Sequence, residues 1–271
     1  MRWNAIFLTL VLGLTPAIAG EPATGDPAAA GVGITEATGY ARNLSLPTAG
    51  QPVYVSVHPG GQYDFGQVPG GEHAPAAAAL GQDLTEALDR IHYLAADPGH
   101  PPSLLIVFNW GTHCALANST GDAGYRNLYD RAALIGGERF CGELKTAIDQ
   151  TVDSTGSISN RPWGVRMPGM GAQTPAQLLD GVSPIEMFRK RDPLNRRLLD
   201  LVADDCYYVV VSAFDYSTVN TERKRLLWRT KLTVPTRSVS MMAAIPALIA
   251  HGDGYFGREM NAAEFFADHR R

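Results

Sequence analysis

Tyr207-Tyr208-Val209-Val210-Val211-Ser212-Ala213-Phe214 decides the fold class of this 271-residue chain, because aromatic and β-branched residues crowded into so short a run favour a buried strand. Downstream, Leu226, Trp228, Thr230, Leu232 and Val234 alternate with Arg229 and Lys231, the period-2 pattern of a second strand. The polar stretch Ser217 to Arg223 between them fits the loop of an antiparallel hairpin. Upstream, Leu104 to Phe108 is a continuous apolar run bounded by turn residues, which reads as a strand covered on both faces. Val53 to Val57 is a shorter strand ended by the turn His58-Pro59-Gly60-Gly61.

Helical spacing surrounds these strands. Leu80, Leu84, Leu88, Ile91 and Ala95 recur on one face, with Asp97-Pro98-Gly99 as the stop. Tyr125 to Ile135 and Phe140 to Ile148 read as two more helical stretches, with the Gly136-Gly137 pair as loop. Ser183-Pro184-Ile185-Glu186 has the form of a capping box, and Asp192-Pro193 restarts a helix striped by Leu194, Leu198, Leu201 and Val202. Met241, Ile245, Leu248 and Ile249 mark a last helix, distorted at Pro246 and ended by Gly252. The expected architecture is a mixed α+β fold: one sheet with helices packed on it and a C-terminal antiparallel hairpin followed by a helix.

The first residues carry a different message. Arg2, the apolar run Ala5 to Leu14 and the small-residue gate Ala17-Ile18-Ala19 follow in the order of a secretion signal cut between Ala19 and Gly20. The apolar run is too short for a membrane span, which needs about 20 residues. Removing residues 1 to 19 takes away Arg2 and no anion, so the formal charge of −4 becomes −5. An acidic balance points away from nucleic acid. The expected domains are a signal peptide at 1–19, a flexible Ala, Gly, Pro and Thr-rich leader at 20–52, one domain at 53–257 with a helical and loop insertion at about 111–181, and a tail at 258–271. The expected location is outside the cytoplasm, periplasmic or secreted.

Chemistry-bearing residues are sparse. Asn109, Trp110 and His113 follow the strand Leu104 to Phe108, and ligands of open α/β sheets gather beyond the carboxyl ends of strands. Asp215 and Tyr216 end the hairpin's first strand. If the two strands run parallel these groups share one crevice; if antiparallel, they lie at opposite ends. His251, Asp253, Tyr255 and Arg258 crowd the end of the last helix, where a glycine turn through Gly252, Gly254 and Gly257 accounts for them without a ligand. The glycine pairs lack the lysine and hydroxyl of a phosphate loop, and Ser212 has bulky neighbours where a nucleophile elbow needs glycine. The histidines are dispersed and no two cysteines share a metal-ligand spacing, so no metal and no cofactor are expected. Cys114 with Cys141 is the cysteine pair nearest in sequence, and a disulfide there and three free thiols are both open. The basic clusters at Arg189 to Arg197 and Arg223 to Arg225 read as solvated faces.

The run Tyr207 to Tyr216, the centre Leu226-Leu227-Trp228-Arg229-Thr230, the step Asn109-Trp110-Gly111 and the ending Tyr255-Phe256-Gly257 together resemble a group of uncharacterised exported bacterial α/β proteins. The hairpin is more distantly similar to that of exported lipoprotein domains, although no lipidation cysteine is present. The resemblance implies no catalytic residues, and it implies that Trp228 packs inward with Leu226. The expectation is therefore a non-enzymatic binding or assembly module of the cell envelope whose partner is another envelope protein. The alternative is a secreted enzyme with a pocket near Asn109, His113 and Asp215. A stress or storage protein with no fixed partner would show neither a pocket nor an exposed apolar patch.

Overall fold

A computed structural model describes residues 31–41, 45–65, 73–114, 121–154, 183–237 and 239–266. The expected signal sequence and its cut at Ala19 and Gly20 lie outside the described residues, as do residues 155–182 of the expected insertion. One mixed sheet of seven strands organises the chain: β1 (Gly31–Ala37), β2 (Val53–Gln62), β3 (Tyr93–Ala95), β4 (Leu104–His113), β5 (Cys206–Asp215), β6 (Leu226–Pro235) and β7 (Glu264–Phe266). Their spatial order is β3-β2-β4-β5-β6-β1-β7. β2 runs parallel to both β3 and β4, and every other pairing is antiparallel. The helices are α1 (Ala77–Asp89), α2 (Gly121–Ser154), α3 (Ser183–Arg191), α4 (Pro193–Ala203) and α5 (Met241–His251). The α+β class, the single sheet and the hairpin followed by a helix are as the sequence predicts.

Alternation divides the sheet into two faces. On one, Val55, Leu104, Ile106, Phe108, Trp110, Tyr207, Val209, Val211, Ala213, Trp228 and Leu232 form a continuous core against Leu80, Leu84 and Leu88 of α1 and Met241, Ile245, Leu248 and Ile249 of α5. Each large apolar side chain buried here contributes about 1.5–3 kcal/mol. The second core lies between α2, α3, α4 and the β1 end of the opposite face, where Val32 and Ile34 meet Leu128, Ile135, Leu144 and Leu198.

Four expectations about elements need correction. Gly31–Ala37, inside the stretch read as a flexible leader, is a strand buried along Val32 and Ile34, and Glu264–Phe266, inside the expected tail, pairs with it. The helix expected to continue to Ala95 stops at Asp89: His92 takes a left-handed φ of 66°, and Tyr93–Ala95 leaves as β3. The turn expected at His58-Pro59-Gly60-Gly61 is strand, absorbed by a register shift between Pro59 and Gly61. Another register shift, between Ala213 and Phe214, buries Leu227 beside Trp228 and leaves Leu226 half-buried, so Leu226 is not the inward partner.

The two predicted middle helices merge into α2, bent where Gly137 adopts φ 84° and ψ 175°. That conformation is open to glycine almost alone. The bend brings α2 onto β1, where Glu36 accepts the Glu138 backbone N–H at 2.6 Å and pairs with Lys231 at 2.8 Å. Lys231, although 6% exposed, also reaches Glu138 at 3.3 Å and donates to the Ala133 carbonyl at 2.8 Å, so its charge is fully engaged. The Asp192 carboxylate caps α4 by accepting the Leu194 N–H at 2.8 Å, as the Asp-Pro step predicts.

Candidate functional site

The β4–β5 register decides the fate of the predicted constellation. The strands are antiparallel, with Leu104 opposite Asp215 and His113 opposite Cys206. Asp215 therefore lies at the far end of β4 from His113, and the pocket that would have joined Asn109, His113 and Asp215 does not form. Asp215 works locally instead: it accepts the Ser217 N–H at 3.0 Å and hydroxyl at 2.6 Å and meets Arg225 at 3.2 Å. The Ser217 hydrogen bonds, with a smaller contribution from Arg225, lower its pKa. Tyr216 follows it as an exposed side chain in a short turn. Trp110 points to the α1 side, buried and stacked on Phe108 at 5.4 Å between centroids.

His113 is drawn into a different arrangement, one without a local sequence signal. Arg131 of α2 is fully buried and donates from Nε to the Val202 carbonyl at 2.7 Å, and from Nη1 to the carbonyls of His113 and Cys114 at 2.7 Å each. Nη1 also lies 3.0 Å from His113 Nδ1, so Nδ1 is the acceptor and Nε2 carries the ring proton. Nη2 reaches Leu201 O at 3.4 Å. The guanidinium thus fastens the last carbonyls of α4, the negative end of its dipole, to the end of β4. Burial first, and the neighbouring guanidinium second, push the His113 pKa down to about 4. The imidazole is held neutral as a packing group with Phe65 stacked 5.1 Å away. Nearby, burial pushes the Cys206 thiol up to about 12. Cys114, Cys141 and Cys206 are all thiols with no disulfide among them, which settles the question the sequence left open.

Asn109 belongs to a broader feature. Alternation places Tyr54, Ser56 and His58 of β2, Leu105, Val107 and Asn109 of β4, and Val210, Ser212 and Phe214 of β5 on the face opposite α1 and α5. Leu105, Val107, Asn109, Val210 and Phe214 are half-buried, His58 is exposed, and none of them joins either core. No described helix packs across β2 and β4 on this side as α2 packs across β1 and β6. The strand expected to be covered on both faces is thus covered, among the described residues, on one. Polar side chains interrupt the aliphatic strip: Ser56 bonds His58 Nε2 at 2.8 Å, Arg229 donates to Ser212 at 3.2 Å, and Tyr54 stacks on His100 at 4.4 Å. At the upper rim stand Tyr63, 52% exposed, and Phe65, 49% exposed.

The rim is built on Gly111. A Cβ there would run into the Tyr63 carbonyl, which accepts the Tyr208 hydroxyl at 2.7 Å. Asp64 fixes the same segment by accepting the Thr112 N–H and hydroxyl at 2.9 Å each. The Asn109-Trp110-Gly111 step is therefore a packing device that lets residues 63–65 run on beside the end of β4, with Phe65 paired in parallel to His113.

Among the described residues no group of His, Cys, Asp or Glu is placed to hold a metal ion, and no helix is long and apolar enough to cross a membrane. Comparison of the sequence with protein-family models and with curated proteins returns no match.

Proposed function

We propose that this chain is an exported cell-envelope protein acting as a non-enzymatic binding module, and that the half-open face of β2, β4 and β5 receives another envelope protein. One observation carries the reading: Leu105, Val107, Val210 and Phe214 form an aliphatic and aromatic strip outside both cores, interleaved with Ser56, Asn109 and Ser212 and rimmed by exposed Tyr63 and Phe65. Apolar centre, hydrogen-bonding flanks and aromatic rim match the composition of protein-docking surfaces. Dispersal of His113 and Asp215 to opposite ends of β4 removes the support for the enzyme alternative. The Arg2, Ala5 to Leu14 and Ala17-Ile18-Ala19 pattern supports export.

The test is in-cell photocrosslinking from a reactive side chain placed at Val107, with mass spectrometry of the products and of the mature N-terminus. One or two recurrent envelope proteins, lost in Val210→Glu but kept in Met242→Ala on the exposed side of α5, and an N-terminus at Gly20 are expected. Crosslinks indistinguishable between the native chain and Val210→Glu would refute the docking face. A chain that keeps Met1 and remains in the cytoplasm would refute export.

A further inference from the structure

The segments that follow α1 and α5, together with Leu46 and Pro47, line an open cleft of about 310 Å³ on the α1 and α5 side of the sheet. Its size falls in the range of small-molecule sites. We propose that it binds a small amphipathic anion, a carboxylate or phosphate monoester with an apolar body. Leu46, Ile91 and Phe256 supply apolar walls, and Leu46 remains 50% exposed with nothing described covering it. Arg90 and Arg258 supply two guanidiniums, and Asp253 is the single carboxylate of the lining.

Both guanidiniums keep unused donors. A guanidinium has five N–H groups. Arg90 commits Nε to Asp253 at 3.0 Å and Nη2 to the Ala250 carbonyl at 3.2 Å, and Arg258 commits Nη2 to Glu264 at 2.6 Å. These pairs sit at the surface, with side chains 38–55% exposed. Exposed pairs are weak, so an arriving anion competes with them, and the planar fork of arginine suits carboxylate and phosphate alike.

His92, the left-handed residue that turns the chain from α1 into β3, lies in the same lining. It is the one non-glycine residue with positive φ among the described residues, at 66°. Its backbone is pinned at both ends, its N–H donating to Asp89 O and its carbonyl accepting from Val53 N, each at 3.0 Å. Glycine would occupy this backbone at lower cost, and the imidazole of His92 is part of the lining of the cleft. Of the residues crowding the end of the last helix, Asp253 and Arg258 line this cavity, while His251 and Tyr255 pack on Phe266.

The experiment titrates the full chain, lacking only residues 1 to 19, with phenyl phosphate, phenylacetate and neutral benzyl alcohol, following backbone amide resonances. Saturable shifts at Ile91, His92 and Gly254 are expected with at least one anion, in the millimolar range or tighter, and none with benzyl alcohol. The preferred anion assigns the head group. Arg90→Gln with Arg258→Gln should weaken binding about tenfold or more. Asp253→Asn, by removing the competing carboxylate, should strengthen it about threefold. His92→Gly should weaken binding while leaving the thermal midpoint unchanged or about 1–3 °C higher. No saturable shift with either anion up to about 20 mM, equal binding of benzyl alcohol, or weaker binding in Asp253→Asn overturns the proposal.

Discussion

Replacing Arg131 with methionine tests the claim that this guanidinium joins α4 to β4. The side chain is fully buried and donates to four backbone carbonyls, those of Val202, His113, Cys114 and Leu201, and to the ring of His113. Hydrogen bonds to a charged group are each worth about 1.5–3 kcal/mol. Their simple sum overshoots, because burying the guanidinium has already cost several kcal/mol that methionine recovers. What methionine cannot recover is the desolvation of the carbonyls left behind, about 1–3 kcal/mol each where water does not enter. The expected net loss is about 3–5 kcal/mol. For a chain of this size that corresponds to a midpoint about 6–20 °C lower by calorimetry. Arg131→Lys should fall between, since one ammonium cannot span carbonyls on both β4 and α4. Urea denaturation of the three proteins gives the comparison directly. An Arg131→Met protein within about 1 kcal/mol of the native one would refute the account of Arg131 as the joint.

His113 should make folding sensitive to mild acid. Its folded pKa, about 4, lies below the ordinary histidine value of 6.5, so the unfolded chain binds the extra proton first. The stabilisation is complete above about pH 6.5 and is lost as pH falls toward 4, by about 3 kcal/mol in all. Urea midpoints measured from pH 7 to 4.5 should fall more steeply in the native chain than in His113→Phe, and parallel curves would contradict this. Gly137→Ala should cost about 2–4 kcal/mol, because its Cβ would come within 2.6 Å of Ile34 Cδ1 and 2.9 Å of Glu36 Oε1 at a φ of 84°. A circular-dichroism melt indistinguishable from the native one would show that the α2 bend is not fixed at Gly137.

The strands at the centre were legible because their apolar runs are long enough to exclude other readings, as Leu104 to Phe108 and Tyr207 to Phe214 illustrate. The outer ones were not. Gly31–Ala37 reads as leader because two glycines dilute it, yet those glycines are where the Phe266 and Tyr255 rings pack against the strand. That signal lies more than 200 residues away. β3 was hidden because Ile91 and Ala95 happen to continue the helical spacing of Leu80, Leu84 and Leu88, while His92 gives no sequence hint of its left-handed turn. Arg131 sits among polar neighbours on an amphipathic helix and looks like a surface cation. Its burial follows from carbonyls at the end of α4, 70 residues on. Of the predicted site, the apolar strand Leu104 to Phe108 was readable, but the strand runs on to His113, so Asn109, Trp110 and His113 lie within β4 and not beyond it, and their separation from Asp215 depended on strand direction, which local pattern does not carry.

The difference between the two faces of the sheet follows from the sequence of the strands themselves. On β2, Val53, Val55 and Val57 face α1 while Tyr54, Ser56 and His58 face the other way. On β5, Tyr207, Val209, Val211 and Ala213 join the closed core, and their neighbours Val210, Ser212 and Phe214 do not. A face of uninterrupted valine and leucine would demand a permanent cover, since antiparallel sheets leave a face to water only when polar residues share it. The face opposite α1 carries enough hydroxyl, amide and imidazole groups to be solvated alone. It also carries enough aliphatic and aromatic surface for about 25 cal/mol per Å² of burial to be gained when it is covered. A surface so divided suits a partner that comes and goes. Charged side chains at Val107 or Val210 should therefore abolish the proposed docking while leaving the fold in place, since neither residue belongs to either core.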